Sequence, residues 1–514
     1  MPIRMSGVVS GLDTESIIKE LMQVQSTKKI KIQNKITKLE WKQEKWKGLN
    51  SKIYALYTDH VSKLRLQGSY NIKKATSSNS DKVEVSASGN VPEGMHTIQV
   101  DSVASAQYIT GAKIQGNKNV TYSTKLADLD EKFNASAISI SVGGEEKVKL
   151  DITEETTVSD FVSALQKAGL NASFDTSQQR FFISSKKSGL ENAFEIKMTS
   201  EDDPDAKDAL EALGLSEIIF KDGDPGKLEV SNGVSVVEAS DAVIRYNNAE
   251  IRSSSNTITV NGLTITVKGK TDAAETVRVN ITRDTQAIYD MLKGFIKSYN
   301  EVLTALNEAY DAELARGYEP LTDEQREAMT EDQIEKWENK IKDSLLRRDG
   351  TVGSLINTLR TTLSGSVSYN GKSYSLASLG ITSVRYTEKG ILHIDGDKED
   401  TLRATEENKL MEALSEDPDA VMTLFTKLVG DLYSAMQEDM KSTSLSSALT
   451  FYNDKEIKNT LDEYKLELSD MEKKLLAIED RYYRQFTAME KMLSQLNAQS
   501  SSLMSLLGYN TGTQ

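Results

Sequence analysis

The apolar residues between Ile457 and Leu506 fall on a single stripe. Alternating steps of four and three residues give Ile457, Leu461, Tyr464, Leu468, Met471, Leu475, Ile478, Tyr482, Gln485, Met489, Met492, Leu496, Gln499, Leu503 and Leu506, apolar except at the two glutamines. A seven-residue repeat held over this length predicts a helix wound against a partner, because a straight helix drifts off such a seam. At ~1.5 Å per residue the rod would run about 75 Å, more than a compact domain uses. The other end of the chain supplies a partner. Ser10-Gly11-Leu12-Asp13-Thr14-Glu15 reads as a turn and a helix start, with Asp13 or Thr14 as N-cap. Ile18, Ile32, Leu39, Trp46 and Ile53 then recur at multiples of seven, with Met22, Ile36, Tyr57 and Leu64 on the adjoining seam. Gln25, Lys29, Gln43 and Asn50 make this second repeat weaker. Residues 28–47 are rich in lysine, and the C-terminal rod carries Glu463, Glu467, Asp470, Glu472, Glu479 and Asp480. Opposite-sign faces predict that charge sets the register between the two ends.

Between the helical ends the period changes to two. Lys82–Ala87 and His96–Val100 alternate on either side of a Gly/Pro turn at Gly89–Gly94, which reads as a hairpin. Ile138–Val142 and Lys147–Leu150, joined by Gly143-Gly144, predict a second. Thr157-Val158-Ser159-Asp160 opens a short helix carrying Phe161, Val162 and Leu165 and stopping at Gly169, and Arg180–Ser184 follows as a strand. Thr257–Val267 is the clearest hairpin, with Asn261-Gly262 supplying two residues suited to positive φ. Helical spacing returns at Thr285–Tyr310, through Ile288, Met291, Leu292, Phe295, Ile296, Tyr299, Leu303 and Leu306. Capping boxes at Thr322 and Thr330 start short helices, Tyr369-Asn370-Gly371-Lys372 is a further hairpin turn, and Asp417-Pro418 starts another helix. The pattern predicts a multidomain α+β chain whose N- and C-terminal helices pair as a coiled-coil stalk, with nested β-rich head domains inserted between them.

Composition narrows the function. A net charge of −15 argues against a nucleic-acid binder, and the lack of cysteine removes disulfides, thiolate metal sites and thiol nucleophiles. Met1–Met5 leads into polar sequence without an apolar core, so no secretory signal peptide is expected, and no apolar run approaches the ~20 residues that span a bilayer. His60, His96 and His393 stand apart from one another, none at ligand spacing, and His60 reads as a packing residue. Asp395-Gly396-Asp397-Lys398-Glu399-Asp400 with Glu406 imitates a calcium loop but puts Asp400 where the sharp turn needs glycine. With no phosphate loop, nucleophile elbow or dinucleotide motif, the chain reads as a non-enzyme with no cofactor and no metal.

Several stretches together resemble one family, the bacterial flagellar filament cap proteins, or flagellar hook-associated protein 2. The opening Ser10-Gly11-Leu12-Asp13 with Ile17, Ile18, Leu21 and Met22 is similar to the family's first motif. Asn256 through Val260-Asn261-Gly262-Leu263 to Asp290, Phe295, Tyr299, Asn300 and Glu301 resembles its centre, as does Tyr318–Thr322 through Trp337-Glu338 to Leu345-Leu346-Arg347. Arg481–Glu490, with Asn497, Gln499 and Leu503, is similar to the closing motif. The likeness covers 1–105 and 240–508, while 138–200 looks like the outer-head insertion of this family.

The resemblance implies terminal legs (1–40 and 455–514), a helical stalk domain (41–75 and 285–454), a β-rich head (76–108 and 233–284) and an outer β/α head (109–232). It implies a ring of identical copies at the distal tip of the flagellum, beneath which exported flagellin folds and inserts without being lost. Its implied partners are itself, flagellin, the hook–filament junction proteins and an export chaperone, with neither nucleic acid nor membrane. Export would run through the flagellar type III apparatus without a cleaved signal, with termini disordered until assembly. The self-assembly seam is then expected at Ile18, Met22, Ile32, Ile36, Leu39, Trp46, Ile53, Leu461, Leu468, Met471, Leu475, Ile478 and Tyr482. Filament or chaperone contact is expected at Met489, Met492, Leu496, Leu503 and Leu506, where no charge follows Lys491. Two other readings share the pattern: another axial component (a flagellin or junction protein), and an adhesin whose head binds a host surface ligand.

Overall fold

The computed structural model describes residues 13–114, 119–134, 136–200, 206–230, 233–272 and 275–506. The chain forms two compact units, Met1–Tyr70 with Thr285–Gln514, and Asn71–Asp284. The division falls at Tyr70/Asn71, slightly before the change of period read at Thr76.

In the first unit, helix α1 (Thr14–Ala55) starts at Asp13, whose carboxylate accepts from the Ser16 N–H at 3.0 Å and the Ser16 hydroxyl at 2.6 Å. It passes residue 40 without a break and continues through a π turn, Leu56–Val61, into the short α2 (Ser62–Leu64). The π turn has a sequence cause. The deepest side chains here are Ile53, Leu56, Val61 and Leu64, all 1% exposed or less. The step of five from Leu56 to Val61 is too long for an α-helical face, and one wider turn absorbs it. Tyr57, read as a seam residue, is therefore rotated off the buried line: it is half-buried and stacks on Tyr433, with ring centroids 5.2 Å apart. His60, in the same turn, lies beside the Phe295 ring with centroids 6.4 Å apart, and burial lowers its pKa.

The body of this unit is built around α4 (Thr285–Tyr310), whose apolar stripe is wide enough to meet several partners. Around it lie α5 (Asp323–Glu327) and α6 (Glu331–Ser344), both opened by the expected capping boxes, then α7 (Gly350–Thr362), α8 (Lys409–Glu416) and α9 (Pro418–Asp439). Helix α4 packs on α7 and α8, and α9 packs on both of those. Leu292, Phe295, Leu303, Leu306, Leu410, Leu424, Phe425 and Leu432 form the buried centre. The last helix, α10, runs from Asp454 to Leu506. It follows a segment in which Tyr452 stacks on Trp46, with ring planes 6° apart and centroids 5.3 Å apart.

The second unit is β-rich. A five-stranded antiparallel sheet runs in the order Lys73–Ser77, Val277–Arg283, Gly94–Ser102, Ala242–Tyr246, Ala249–Ser253. Val83–Ala87 joins Leu263–Val267 and Thr257–Val260 in a separate three-stranded sheet. The reading of residues 82–100 as a hairpin is thus corrected: the two strands flanking Gly89–Gly94 pair with different sheets. Val91 is buried in the connection and belongs to the core shared by both sheets, so the turn plugs the gap between the layers instead of closing a ladder. The Asn261-Gly262 turn has φ of 49° and 82°, as a type I′ hairpin requires.

The same unit holds a second core, with Phe161, Phe181, Phe194, Ile138 and Ile196 among its most buried members. Helix α3 (Val158–Lys167), capped by Thr157 and Asp160, packs against the strand Leu170–Asp175.

Replacing Trp46 (2% exposed) with alanine removes the stack on Tyr452 and leaves a cavity. A loss of about 3–5 kcal/mol is expected for the helical unit, read as a lower urea midpoint by far-UV circular dichroism, with the β-rich unit's transition unmoved.

Candidate assembly interface

The two chain ends meet as an antiparallel pair. Lys35 lies over the Tyr464 ring at 5.0 Å, Lys29 Nζ is 2.9 Å from Glu472, and Lys465 Nζ is 3.1 Å from Glu40. As one residue number rises the other falls, so α1 and α10 run in opposite directions. At equal rise per residue this register puts Thr14, the start of α1, beside the stretch of α10 from about Gln485 to Lys491.

Of the expected seam residues, Ile18, Ile32, Ile36, Trp46 and Ile53 are buried, and Met22 and Leu39 are half-buried. Trp46 meets Tyr452, outside α10, so its contact belongs to the connection before that helix. On α10, Ile457 and Leu475 are buried, and Leu461, Tyr464, Leu468, Met471, Ile478 and Tyr482 are half-buried. A helix resting on one partner covers only one side of its stripe, so the intermediate burial follows from the pairing.

Beyond that stretch the stripe continues without cover from the other described residues. Gln485 is exposed, and Met489, Met492, Leu496 and Leu503 are 37%, 67%, 59% and 59% exposed. Leu506 closes the helix, and its side chain lies outside the described residues. Met504 (58% exposed) adds to the strip.

The lysines of α1 meet their partners elsewhere than charge patterning suggested. Lys38 reaches Glu319 at 2.6 Å, Lys42 reaches Asp349 at 2.9 Å and Lys45 reaches Asp343 at 2.5 Å. Asn34 donates to the same Glu319 at 3.5 Å, and Lys342 lies over the Trp41 ring at 4.9 Å. The segment 319–349 thus takes Lys38, Lys42 and Lys45, while α10 takes Lys29 and Lys35 and offers Lys465 to Glu40. Nothing in the hydrophobic period pointed to this third partner; only the acidic capping boxes near Thr322 and Thr330 marked the segment as charged. Each such exposed pair contributes about 0–1 kcal/mol, so the apolar seam carries the energy and the ion pairs set position.

The imitation calcium loop is committed to partners within the chain itself. Asp397 accepts from Lys293 at 2.7 Å, Asp400 faces His393 Nδ1 at 2.5 Å, and Asp395 is 3.3 Å from Arg403 and 3.7 Å from Lys409. Among the described residues no cluster of His, Cys, Asp or Glu could hold a metal ion, and no helix is long and apolar enough to cross a membrane.

The class so defined is a multidomain α+β protein, with its N- and C-terminal helices α1 and α10 paired and a β-rich unit inserted between them in sequence. "Flagellar hook-associated protein 2 N-terminus" matches residues 10–107, and "Flagellar hook-associated protein 2 C-terminus" matches residues 239–498, just over half the chain. The chain belongs to the flagellar hook-associated protein 2 family. The flagellar hook-associated protein 2 of Halalkalibacterium halodurans is 27% identical over 98% of this chain and 99% of its own. The B-type protein of Pseudomonas aeruginosa is 24% identical, covering 86% of this chain and 84% of its own. Among solved structures, the D1-D2-D3 domains of the Escherichia coli flagellar cap protein are 21% identical, with a TM-score of 0.49 over 82% of this chain and 99% of that one.

Leu475→Asp is expected to cost about 3–5 kcal/mol at neutral pH by burying an unpaired carboxylate, whereas Met492→Asp stays within about 0.5 kcal/mol because its site is open. Urea unfolding of the two variants side by side checks this.

At the foot of α10, Asp454 accepts from the Ser447 N–H at 2.6 Å. Burial, the largest single influence, pushes its carboxyl upward, but the hydrogen bonds from Ser447 together with those from the Asp454 and Lys455 N–H groups hold it below the usual range. The stabilisation is therefore present above the unfolded value of ~3.9 and lost as pH falls through the folded one. Amide exchange at Ser447 should accelerate below pH ~4 beyond the intrinsic pH trend, and Asp454→Asn should flatten that dependence.

Proposed function

We propose that this chain caps the distal tip of the bacterial flagellar filament as a ring of identical copies, promoting folding and insertion of exported flagellin and preventing its loss. The observation that carries the reading is the bare strip of α10, Met489 to Met504, continuing a seam that α1 covers only as far as the Tyr482 region. An apolar stripe on an open helix is unfavourable in water, so a protein that keeps one displays it for another chain. From Met492 to Gln514 the sequence has no charged side chain, and its large apolar residues are Met and Leu apart from Tyr509. Such a face lacks the charge pattern that restricts partners and can repack against successive neighbours.

In this reading the paired ends are legs (1–40 and 455–514) below a helical stalk domain (41–75 and 285–454). The head (76–108 and 233–284) and outer head (109–232) lie above the emerging subunits, and head and stalk domains together form the ring. The legs exchange contacts with flagellin as the filament grows, and with the junction proteins when the cap is first seated. Before assembly an export chaperone covers the same strip. The protein leaves the cell through the flagellar type III apparatus and works outside the cell at the tip. Support comes from family membership and from the two relatives, named flagellar hook-associated protein 2, that match most of this chain.

Deleting residues 492–514 is expected to leave both units folded by circular dichroism while abolishing filament growth in cells. Normal filaments on cells carrying only the truncated protein would end this reading.

A further inference from the structure

Between α4, the end of α7 and the segment 375–392 lies a cavity of about 370 Å³. Its floor is apolar: Leu363, Leu376 and Ile381 are buried there, and Leu392 is half-buried beside them. Arg360, exposed in the last turn of α7, is the one charged side chain among the described residues that line it. A cation suits a helix C-terminus, which accounts for an arginine on that turn. It does not account for where the guanidinium goes. The side chain lies against Gly390, on another segment, where a Cβ would come within 2.8 Å of Arg360 Nε and 3.1 Å of Cδ. Gly390 has φ 98°, so glycine is needed both for that backbone and for the room it leaves. In a chain of net charge −15, Arg348 is paired with Asp311 and Arg403 with Asp395. Arg360 has no ion pair or hydrogen bond among the described residues.

The second polar group is Tyr299, from α4. It is 1% exposed, yet its hydroxyl has no hydrogen-bond partner among the described residues. A buried phenol ordinarily finds one, as Tyr70 does by donating to the Leu64 carbonyl at 2.7 Å. Nor is the Tyr299 hydroxyl sealed from solvent as the Thr14 hydroxyl is, so it meets open space at the cavity its side chain lines. Burial raises its pKa and the Arg360 charge lowers it, so the two groups lie within electrostatic reach and the phenol keeps its proton.

A guanidinium and a phenol O–H are both donors, and Ser383 adds a hydroxyl to the lining. What the cavity lacks is an acceptor carrying one negative charge. A carboxylate matches a single guanidinium and takes its two parallel N–H groups, whereas a phosphate dianion would leave one charge uncompensated over an apolar floor. A cavity of this size, apolar with a few polar groups, has the form of a small-molecule site.

We infer that this cavity binds a small monocarboxylate with a short aliphatic body, its carboxylate held by Arg360 and Tyr299 and its body resting on Leu363, Leu376 and Ile381. The inference stands apart from the ring reading and gives the helical unit a ligand of its own.

Saturation-transfer NMR on the full-length protein with butyrate tests it, with butyramide and inorganic phosphate as comparison probes. Butyrate should bind saturably, about tenfold or more tighter than either. Arg360→Gln should weaken butyrate about tenfold or more, and Tyr299→Phe about threefold or more. Because the hydroxyl has no partner in the fold, Tyr299→Phe should leave the urea midpoint where it is or raise it. A short peptide with a free C-terminal leucine distinguishes the source: binding tighter than butyrate places the carboxylate on a protein end, weaker binding on a free small molecule, and either supports the site. Butyramide or phosphate binding as well as butyrate, binding that survives Arg360→Gln, a midpoint that falls in Tyr299→Phe, or no saturable binding of butyrate or peptide overturns it.

Discussion

The antiparallel seating of α10 on α1 is the constraint from which the rest of the helical unit follows. Ile18, Ile32 and Ile36 on one side and Ile457 and Leu475 on the other bring together segments separated by most of the sequence. Loop closure grows only logarithmically with length, each doubling adding about 0.6 kcal/mol, so an inserted unit of this size costs little more than a short one. The insertion is also local at its root. Lys73–Ser77 pairs with Val277–Arg283, and the Asp284 N–H donates to the Ile72 carbonyl at 2.8 Å, so the strand that enters the β-rich unit lies beside the strand that leaves it. Both crossings come back to one place.

Much of this was legible because its signals are short-range. The Thr322, Thr330 and Thr157 capping boxes, the Asn261-Gly262 and Asn370-Gly371 turns and the Asp417-Pro418 helix start depend on residues within one turn of each other, and the structure has each of them. The heptads of the C-terminal helix were equally plain, and those of the N-terminal helix weaker. What resisted reading depends on distant partners. The π turn shows only as a spacing of five between Leu56 and Val61, which looks like noise until α4 and α9 are present to bury both. The strands on either side of Gly89–Gly94 look like a hairpin, since alternation gives a face but not a partner. The lysines of α1 were matched to the nearest acidic helix by composition, whereas Glu319, Asp343 and Asp349 reach them through tertiary packing.

The division of labour along α10 follows from chemistry. Its covered part lies among charged residues that meet α1 in defined pairs, so register is fixed. Its bare part has apolar residues without charge after Lys491, so affinity is available without a fixed register. One helix is thereby anchored at one end and adaptable at the other, as a protein that must hold its own shape while changing neighbours requires.

Hydrogen exchange along α10, followed by mass spectrometry on the isolated full-length chain, tests the central claim most directly. Amides from Asp454 to about Tyr482 should be protected with the body of the helical unit, and those from Gln485 to Leu506 should exchange far faster, gaining protection only on filament ends. Uniform protection along the whole helix in the isolated chain, or rapid exchange in its covered half, would contradict the account.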